Sequence, residues 1–206
     1  MTRVKICGVI TPESARMVAE AGADAIGLNF YQPSPRYIAP QLAATIVREL
    51  SPFVAPVGVF VNTPIRQATA IAFQLGLRAI QTVDDQIQTE DTFPFAHIPA
   101  FRVSTNEHLN AIREFVAKYK PSAVLIDSHV IGQMGGTGVT APWHLLVGFD
   151  PGVPMILAGG LTPENVAEAI RVVKPWGVDV ASGVESSPGV KDKVKVRDFL
   201  AAVRNA

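Results

Sequence analysis

Met155-Ile156-Leu157-Ala158-Gly159-Gly160-Leu161-Thr162-Pro163-Glu164-Asn165-Val166 compresses one whole structural unit into a single line. Four apolar residues, Met155–Ala158, read as a buried strand. Two glycines follow as a turn. Thr162-Pro163-Glu164 then supplies a capping hydroxyl, a first-turn proline and an early acid, the signature of a helix start. From there Val166, Ala167, Ile170 and Val173 fall largely on one side, which predicts an amphipathic helix over Pro163–Val173. The unit is strand, glycine turn, capped helix.

The same unit opens the chain. Arg3–Cys7 reads as a strand, and Thr11-Pro12-Glu13 repeats the capping pattern before a helix over Pro12–Ala21. Between the two, short apolar runs alternate with helical patterns. The predicted strands are Arg3–Cys7, Asp24–Asn29, Val54–Phe60, Arg78–Thr82, Ile98–Val103, Ala123–Asp127, Met155–Ala158 and Val178–Ala181. Repeated strand–helix units imply parallel strands joined by right-handed crossovers. Eight units in 206 residues allow roughly 26 residues each, enough for a compact barrel. The expected fold is α/β, a single (β/α)8 barrel spanning residues 1–206 as one domain. A doubly wound open sheet explains the alternation as well, but usually with fewer strands. The fourth helix is expected to be short or irregular, because little room separates Thr82 from Phe95.

Composition narrows the function classes. Apolar residues make up 48% and charged residues 17%, so a buried core is expected rather than disorder. The formal net charge is zero, leaving no basic surplus for a nucleic-acid backbone. No apolar run approaches the roughly 20 residues of a membrane span. The single cysteine rules out an intrachain disulfide and fits a reducing, cytoplasmic setting. His97, His108, His129 and His144 show no paired ligand spacing, so no metal site is expected.

In barrel enzymes chemistry sits at the carboxyl ends of the strands and in the loops beyond them. Cys7 ends the first strand. Alternation puts Arg3, Lys5 and Cys7 on one face and Val4 and Ile6 on the other. The apolar pair should face the helices, which leaves Cys7 open to a ligand at the barrel mouth. Two readings stand: a general base, if its pKa is lowered, or a buried structural thiol. Asp127 closes the otherwise apolar sixth strand, either as a proton donor or as a cap for the next loop. Glycine turns follow the last two strands at Gly159-Gly160 and Ser182-Gly183. They suit a phosphate cradle of backbone N–H groups, or ordinary turn chemistry. Gly135-Gly136-Thr137-Gly138 reads as a mobile lid or a plain loop. Arg36, after strand two, could grip a carboxylate through two hydrogen bonds or simply be solvated. Asp179 is expected to pair with an inward Lys5 or Arg3 across the closure of the barrel.

Taken in order, several blocks resemble phosphoribosylanthranilate isomerase of tryptophan biosynthesis. They are Val4-Lys5-Ile6-Cys7-Gly8, Gly22–Gly27, Phe30-Tyr31, Ser34-Pro35-Arg36-Tyr37-Ile38, Val57–Asn62, Gly135–Gly138, Leu157–Val166, Gly177–Glu185 and Gly189–Asp192. Any one is modest; their joint order is specific. The resemblance implies an Amadori rearrangement of a phosphoribosyl-anthranilate substrate without metal or organic cofactor. It implies Asp127 as general acid, Cys7 as general base and Arg36 on the anthranilate carboxylate. Gly159, Gly160, Ser182 and Gly183 would hold the phosphate. A monomer or a homodimer fits equally. After strand four the family usually reads Gln-Leu-His-Gly, whereas this chain reads Gln81-Thr82-Val83-Asp84, which changes one wall of the site. The segment after Asp127, Ser128–Met134, is also atypical.

Three rival readings stand beside this one. A histidine-pathway phosphoribosyl isomerase is longer, is built of two similar halves and carries aspartate at the Cys7 position. A related isomerase with altered substrate choice would draw on Val83 and Asp84. A degenerate, non-catalytic barrel that binds a phosphate ligand has the same strand-four block as its only support.

Overall fold

The computed structural model of the chain describes residues 1–83, 94–127 and 143–206. Eight parallel strands close into a barrel in sequential order: β1 (Arg3–Cys7), β2 (Ala25–Asn29), β3 (Ala55–Val61), β4 (Ala79–Val83), β5 (Ala96–Arg102), β6 (Val124–Asp127), β7 (Met155–Ala158) and β8 (Gly177–Val180). Closure is made by β8 on β1, with Arg3 opposite Gly177 and Lys5 opposite Asp179. The open-sheet alternative is thereby excluded. Helices α1 (Pro12–Ala21), α2 (Pro40–Glu49), α3 (Ile65–Leu75), α4 (Asn106–Tyr119), α5 (Val166–Val173) and α6 (Lys193–Arg204) surround the strands.

Strand alternation builds two cores. Outward residues such as Ile6, Ile26, Phe60, Ile80, Ile126 and Leu157 pack against the apolar stripes of the helices. Inside the barrel, a smaller cluster of Val57, Ala79, Ile98, Ala123, Leu125, Ile156 and Ala158 fills the axis. The inner set is rich in alanine because side chains from eight strands converge on a narrow space.

Helix α1 begins as its sequence predicts. Thr11 Oγ1 accepts the Ser14 N–H at 3.1 Å, and Pro12 takes the first turn. Helix α5 does not. It starts at Val166, three residues after the predicted Pro163, and residues 163–165 form a turn instead. The Thr162 hydroxyl is engaged by the Glu164 carboxylate, which is held below its usual pKa by that bond. The capping relation is reversed: the Asn165 side chain accepts the Thr162 N–H at 2.8 Å and donates to the Gly160 carbonyl at 2.9 Å. The segment is spent on shaping the glycine turn rather than on a longer helix.

The strand ends match the sequence reading at β1 and β7 and shift by one or two residues elsewhere. Val83 ends β4 on the same face as Ala79 and Gln81, toward the axis. Asp84, most of the segment expected to hold a short fourth helix, the Gly135–Gly138 loop and Ser128–Met134 lie outside the described residues. Among those described, no helix is long and apolar enough to cross a membrane.

One outward-facing pair makes stability pH-dependent. Thr82 Oγ1 and His97 Nε2 lie 3.0 Å apart, both buried between the strands and the helix layer. Burial lowers the His97 pKa to about 4. An unfolded histidine binds its proton near pH 6.5, so between these values the unfolded chain holds more protons than the folded one. The contribution is complete above pH 6.5 and is lost as pH falls toward 4. Acidification from pH 7 to pH 5 should cost about 2 kcal/mol through this group. Denaturant melts at the two pH values should show that loss, and His97→Gln should remove most of the difference.

Candidate active site

The carboxyl ends of the strands surround a cavity of about 410 Å³, lined by Cys7, Asp127, Asp179 and the two stretches Ala158–Thr162 and Val180–Gly183. Another groove, of about 300 Å³, lies on the outside between α1 and α2. It sits away from the strand ends and lacks a converging acid and thiol, so the barrel mouth is the better candidate.

Cys7 reaches the mouth because β1 points it inward, beside Gly27 of β2. A Cβ on Gly27 would stand 2.7 Å from the Cys7 sulfur and 3.1 Å from Lys5 Nζ. The missing side chain is therefore the space into which both groups project. Lys5 Nζ donates to Asp179 Oδ1 at 2.9 Å, and both side chains are buried. Burial works against the Lys5 ammonium, but Asp179 and Cys7 outweigh it and raise its pKa. Asp179 thus pairs with Lys5, as anticipated, while Arg3 pairs with Asp24 at 2.7 Å.

The Cys7 thiol does not show the lowered pKa on which its reading as a base is conditional. Its pKa is raised, not lowered, because burial outweighs the pull of Lys5, with Asp179 adding to the rise. Lys191 also favours the thiolate, by a smaller amount. The sequence places a thiol at a strand end; only the closed barrel shows the charges and the half-buried surroundings it meets there.

Asp127 ends β6, paired in register with Arg102 of β5 and Ala158 of β7. It is partly exposed to the cavity that Cys7 also lines. Two groups far apart in sequence are thus brought to one space, as their strand positions predict.

The two glycine turns are also brought together. Gly159 and Gly160 have φ of 91° and 64°, the left-handed region in which a side chain is strained. Gly183 is glycine for another reason: a Cβ there would overlap the Leu161 carbonyl oxygen. Gly183 lies in a short 3₁₀ turn, Ser182–Val184, whose backbone packs directly against the turn after β7.

Arg36 arrives on the loop after β2. Its side chain runs over Gly8, where an added Cβ would come within 2.5 Å of Arg36 Cδ. The guanidinium makes a two-pronged pair with Glu185, Nε to Oε1 at 2.9 Å and a terminal nitrogen to Oε2 at 2.7 Å. Hydrogen bonding to Glu185 raises the Arg36 pKa, so the charge is permanent. Lys191 Nζ donates to the same Glu185 at 2.7 Å and to the Ala181 carbonyl at 3.1 Å. Burial alone would raise the Glu185 pKa, but bonds from Arg36 and Lys191 hold it below the usual range. Burial lowers that of Lys191.

This hub was not singled out from the sequence. It hangs on an antiparallel hairpin, β9 (Glu185–Ser187) with β10 (Val190–Lys191), inserted between β8 and α6. Pro188-Gly189 was the available signal, a turn dipeptide between two short runs. Gly189, at φ 84°, lets the hairpin tip press on Pro35 and Ile10 of the neighbouring loops. Among the described residues, no cluster of three or more His, Cys, Asp or Glu is placed to hold a metal ion.

The model of the N-(5'-phosphoribosyl)anthranilate isomerase family matches residues 4–202. The chain belongs to this family. An N-(5'-phosphoribosyl)anthranilate isomerase of Geotalea uraniireducens is 45% identical over 201 residues, covering 97% of each chain. The phosphoribosylanthranilate isomerase of Thermotoga maritima superposes with a TM-score of 0.87 at 35% identity, covering all of both chains. A phosphoribosylanthranilate isomerase in complex with reduced 1-(o-carboxyphenylamino)-1-deoxyribulose 5-phosphate gives 0.85 at 34% identity, again over both full chains. Phosphoribosylanthranilate isomerases thus share the barrel fold with this chain over its full length.

Proposed function

We propose that the chain isomerises N-(5'-phosphoribosyl)anthranilate to 1-(2-carboxyphenylamino)-1-deoxyribulose 5-phosphate in tryptophan biosynthesis. The observation that carries this reading is the placement of Cys7 and Asp127 around one cavity, with both glycine turns in its wall. The rearrangement needs a proton delivered to one part of a sugar and another removed nearby.

Asp127 gives its proton to the furanose ring oxygen. The C1–O bond breaks as the nitrogen lone pair forms a C=N bond, and the sugar opens to an iminium. Cys7, as thiolate, takes the proton from C2. The C–H electron pair becomes a C1=C2 bond, and the iminium nitrogen becomes neutral. The resulting enolamine gains a proton at C1 and loses one from the C2 hydroxyl to give the ketone. The substrate gains two protons and loses two, with no net change in oxidation level, so no external oxidant or organic cofactor is required.

Arg36, held by Glu185 through Nε and one terminal nitrogen, meets the anthranilate carboxylate through its other terminal nitrogen. Gly159, Gly160, Ser182 and Gly183 offer backbone N–H groups to the phosphate, remote from the reacting carbons, where binding orients the sugar. Gly183→Ala pushes the two turns apart and should lower kcat/KM about 10–100-fold, mostly through KM. Steady-state kinetics with a phosphate-bearing substrate check this.

The direct test mixes purified protein with freshly made phosphoribosylanthranilate and follows the loss of anthranilate fluorescence, the product being consumed by the next enzyme. Rapid turnover is expected. Absence of turnover by a correctly folded protein would point to a different aminosugar phosphate, with Val83 the first described position to exchange.

A further inference from the structure

We propose that Lys5 is a positioning residue that sets the charge state of Cys7, with Asp179 anchoring its ammonium. The inference rests on the base role given to Cys7 above. Lys5 and Cys7 are alternate residues of β1 on its inward face, and both converge on the space left by Gly27. Lys5 does not line the cavity, whereas Cys7 and Asp179 do. The ammonium therefore lies beneath the site floor and acts on substrate only through its neighbours.

A thiolate at a half-buried strand end beside the Asp179 carboxylate is favoured by a fixed cation close by. Lys5 is suited to supply it, since Asp179 holds its ammonium at 2.9 Å. Other charges face Cys7 from the surrounding elements. Lys191 of β10 is committed to Glu185 and the Ala181 carbonyl, and Arg36 of the β2–α2 loop to Glu185. Asp179 of β8 opposes the thiolate, and Asp127 of β6 adds a carboxyl on the same cavity. When the C2 proton passes to the sulfur, the thiolate becomes a neutral thiol. Lys5 stays protonated throughout and donates nothing.

Cys7 is the chain's one cysteine, so thiolate absorbance and iodoacetamide alkylation across pH report on it alone. Lys5→Met should move the thiol titration up by about one pH unit or more. That would slow alkylation on the order of tenfold at a fixed pH below the titration. Lys5→Arg should hold the titration close to that of the unaltered chain. Asp179→Asn should move it down, since it removes the opposing charge. Opposite signs from the two ends of one ion pair cannot arise from general loosening of the fold. If Lys5→Met does not fold, Lys5→Met/Asp179→Asn leaves no lone buried charge and should still titrate higher than the unaltered chain. A titration unmoved in every Lys5→Met background, or moved the same way by both single variants, overturns the proposal. The base role is judged separately by the activity of Cys7→Ser. Activity in Cys7→Ser with a shifted titration would leave the Lys5 effect standing and remove its catalytic use.

Discussion

Asp127→Asn and Cys7→Ser should each lower kcat/KM for phosphoribosylanthranilate about 10²–10⁴-fold while leaving the barrel folded. The asparagine is isosteric with Asp127 but has no proton of suitable acidity for the ring oxygen. The serine hydroxyl is a far weaker acid than the thiol, so almost none is present as the basic anion at neutral pH. Both side chains sit at strand ends on the cavity wall, outside the apolar clusters that hold the barrel together. Circular dichroism and melting temperature should therefore change little. The losses should appear chiefly in kcat, since neither group is assigned to the carboxylate or the phosphate. The double variant should fall less than the product of the two single losses, because once one proton transfer fails the other has no intermediate to act on. Turnover that survives in both single variants would show that other groups move the protons.

The largest effect on stability is expected at the strand closure. Lys5 and Asp179 are both buried, and their ion pair joins β1 to β8 at 2.9 Å. Asp179→Leu leaves an ammonium in the barrel interior without its carboxylate. Removing one member of a buried pair costs about 3–5 kcal/mol. For a chain of this size that corresponds to a fall of roughly 6–20 °C in melting temperature. Lys5→Met combined with Asp179→Leu should recover most of the loss, because an apolar pair of similar volume needs no solvation. Scanning calorimetry on the three proteins decides the matter. A single variant as stable as the parent would mean that Lys5 finds another acceptor.

Both expectations draw on features that were partly legible before any coordinates. The β7 strand is an apolar run and β1 an alternating one, each followed by glycine, and their bounds follow from that punctuation. Eight strand–helix units favour a closed barrel, and closure puts β8 beside β1, so a pairing of Asp179 with Lys5 or Arg3 follows from topology, while the register selects Lys5. Cys7 and Asp127 are strand-terminal residues of an unusual type, which local pattern can find. The start of α5 was missed because Thr162-Pro163-Glu164 carries a sound capping pattern, yet Asn165 overrides it to brace the glycine turn. The raised thiol pKa was out of reach because it reports burial created by side chains from other strands. Glu185 and Lys191 were out of reach for a similar reason. Arg36, the partner of Glu185, lies about 150 residues away in sequence, and only the hairpin brings Glu185 to it together with Lys191.

The joining of Arg3 to Gly177 and of Lys5 to Asp179 ties nearly the whole length of the chain into one loop. Contacts so distant in sequence demand the largest loss of chain freedom and form after the local strand–helix units have condensed. The closing seam should then be absent from the rate-limiting ensemble of refolding. Substitutions along it should accelerate unfolding while leaving the refolding arm of a chevron almost unchanged, with φ-values near zero. The lifetime of the native barrel, more than the speed of its assembly, would then be governed by the junction of its first and last strands.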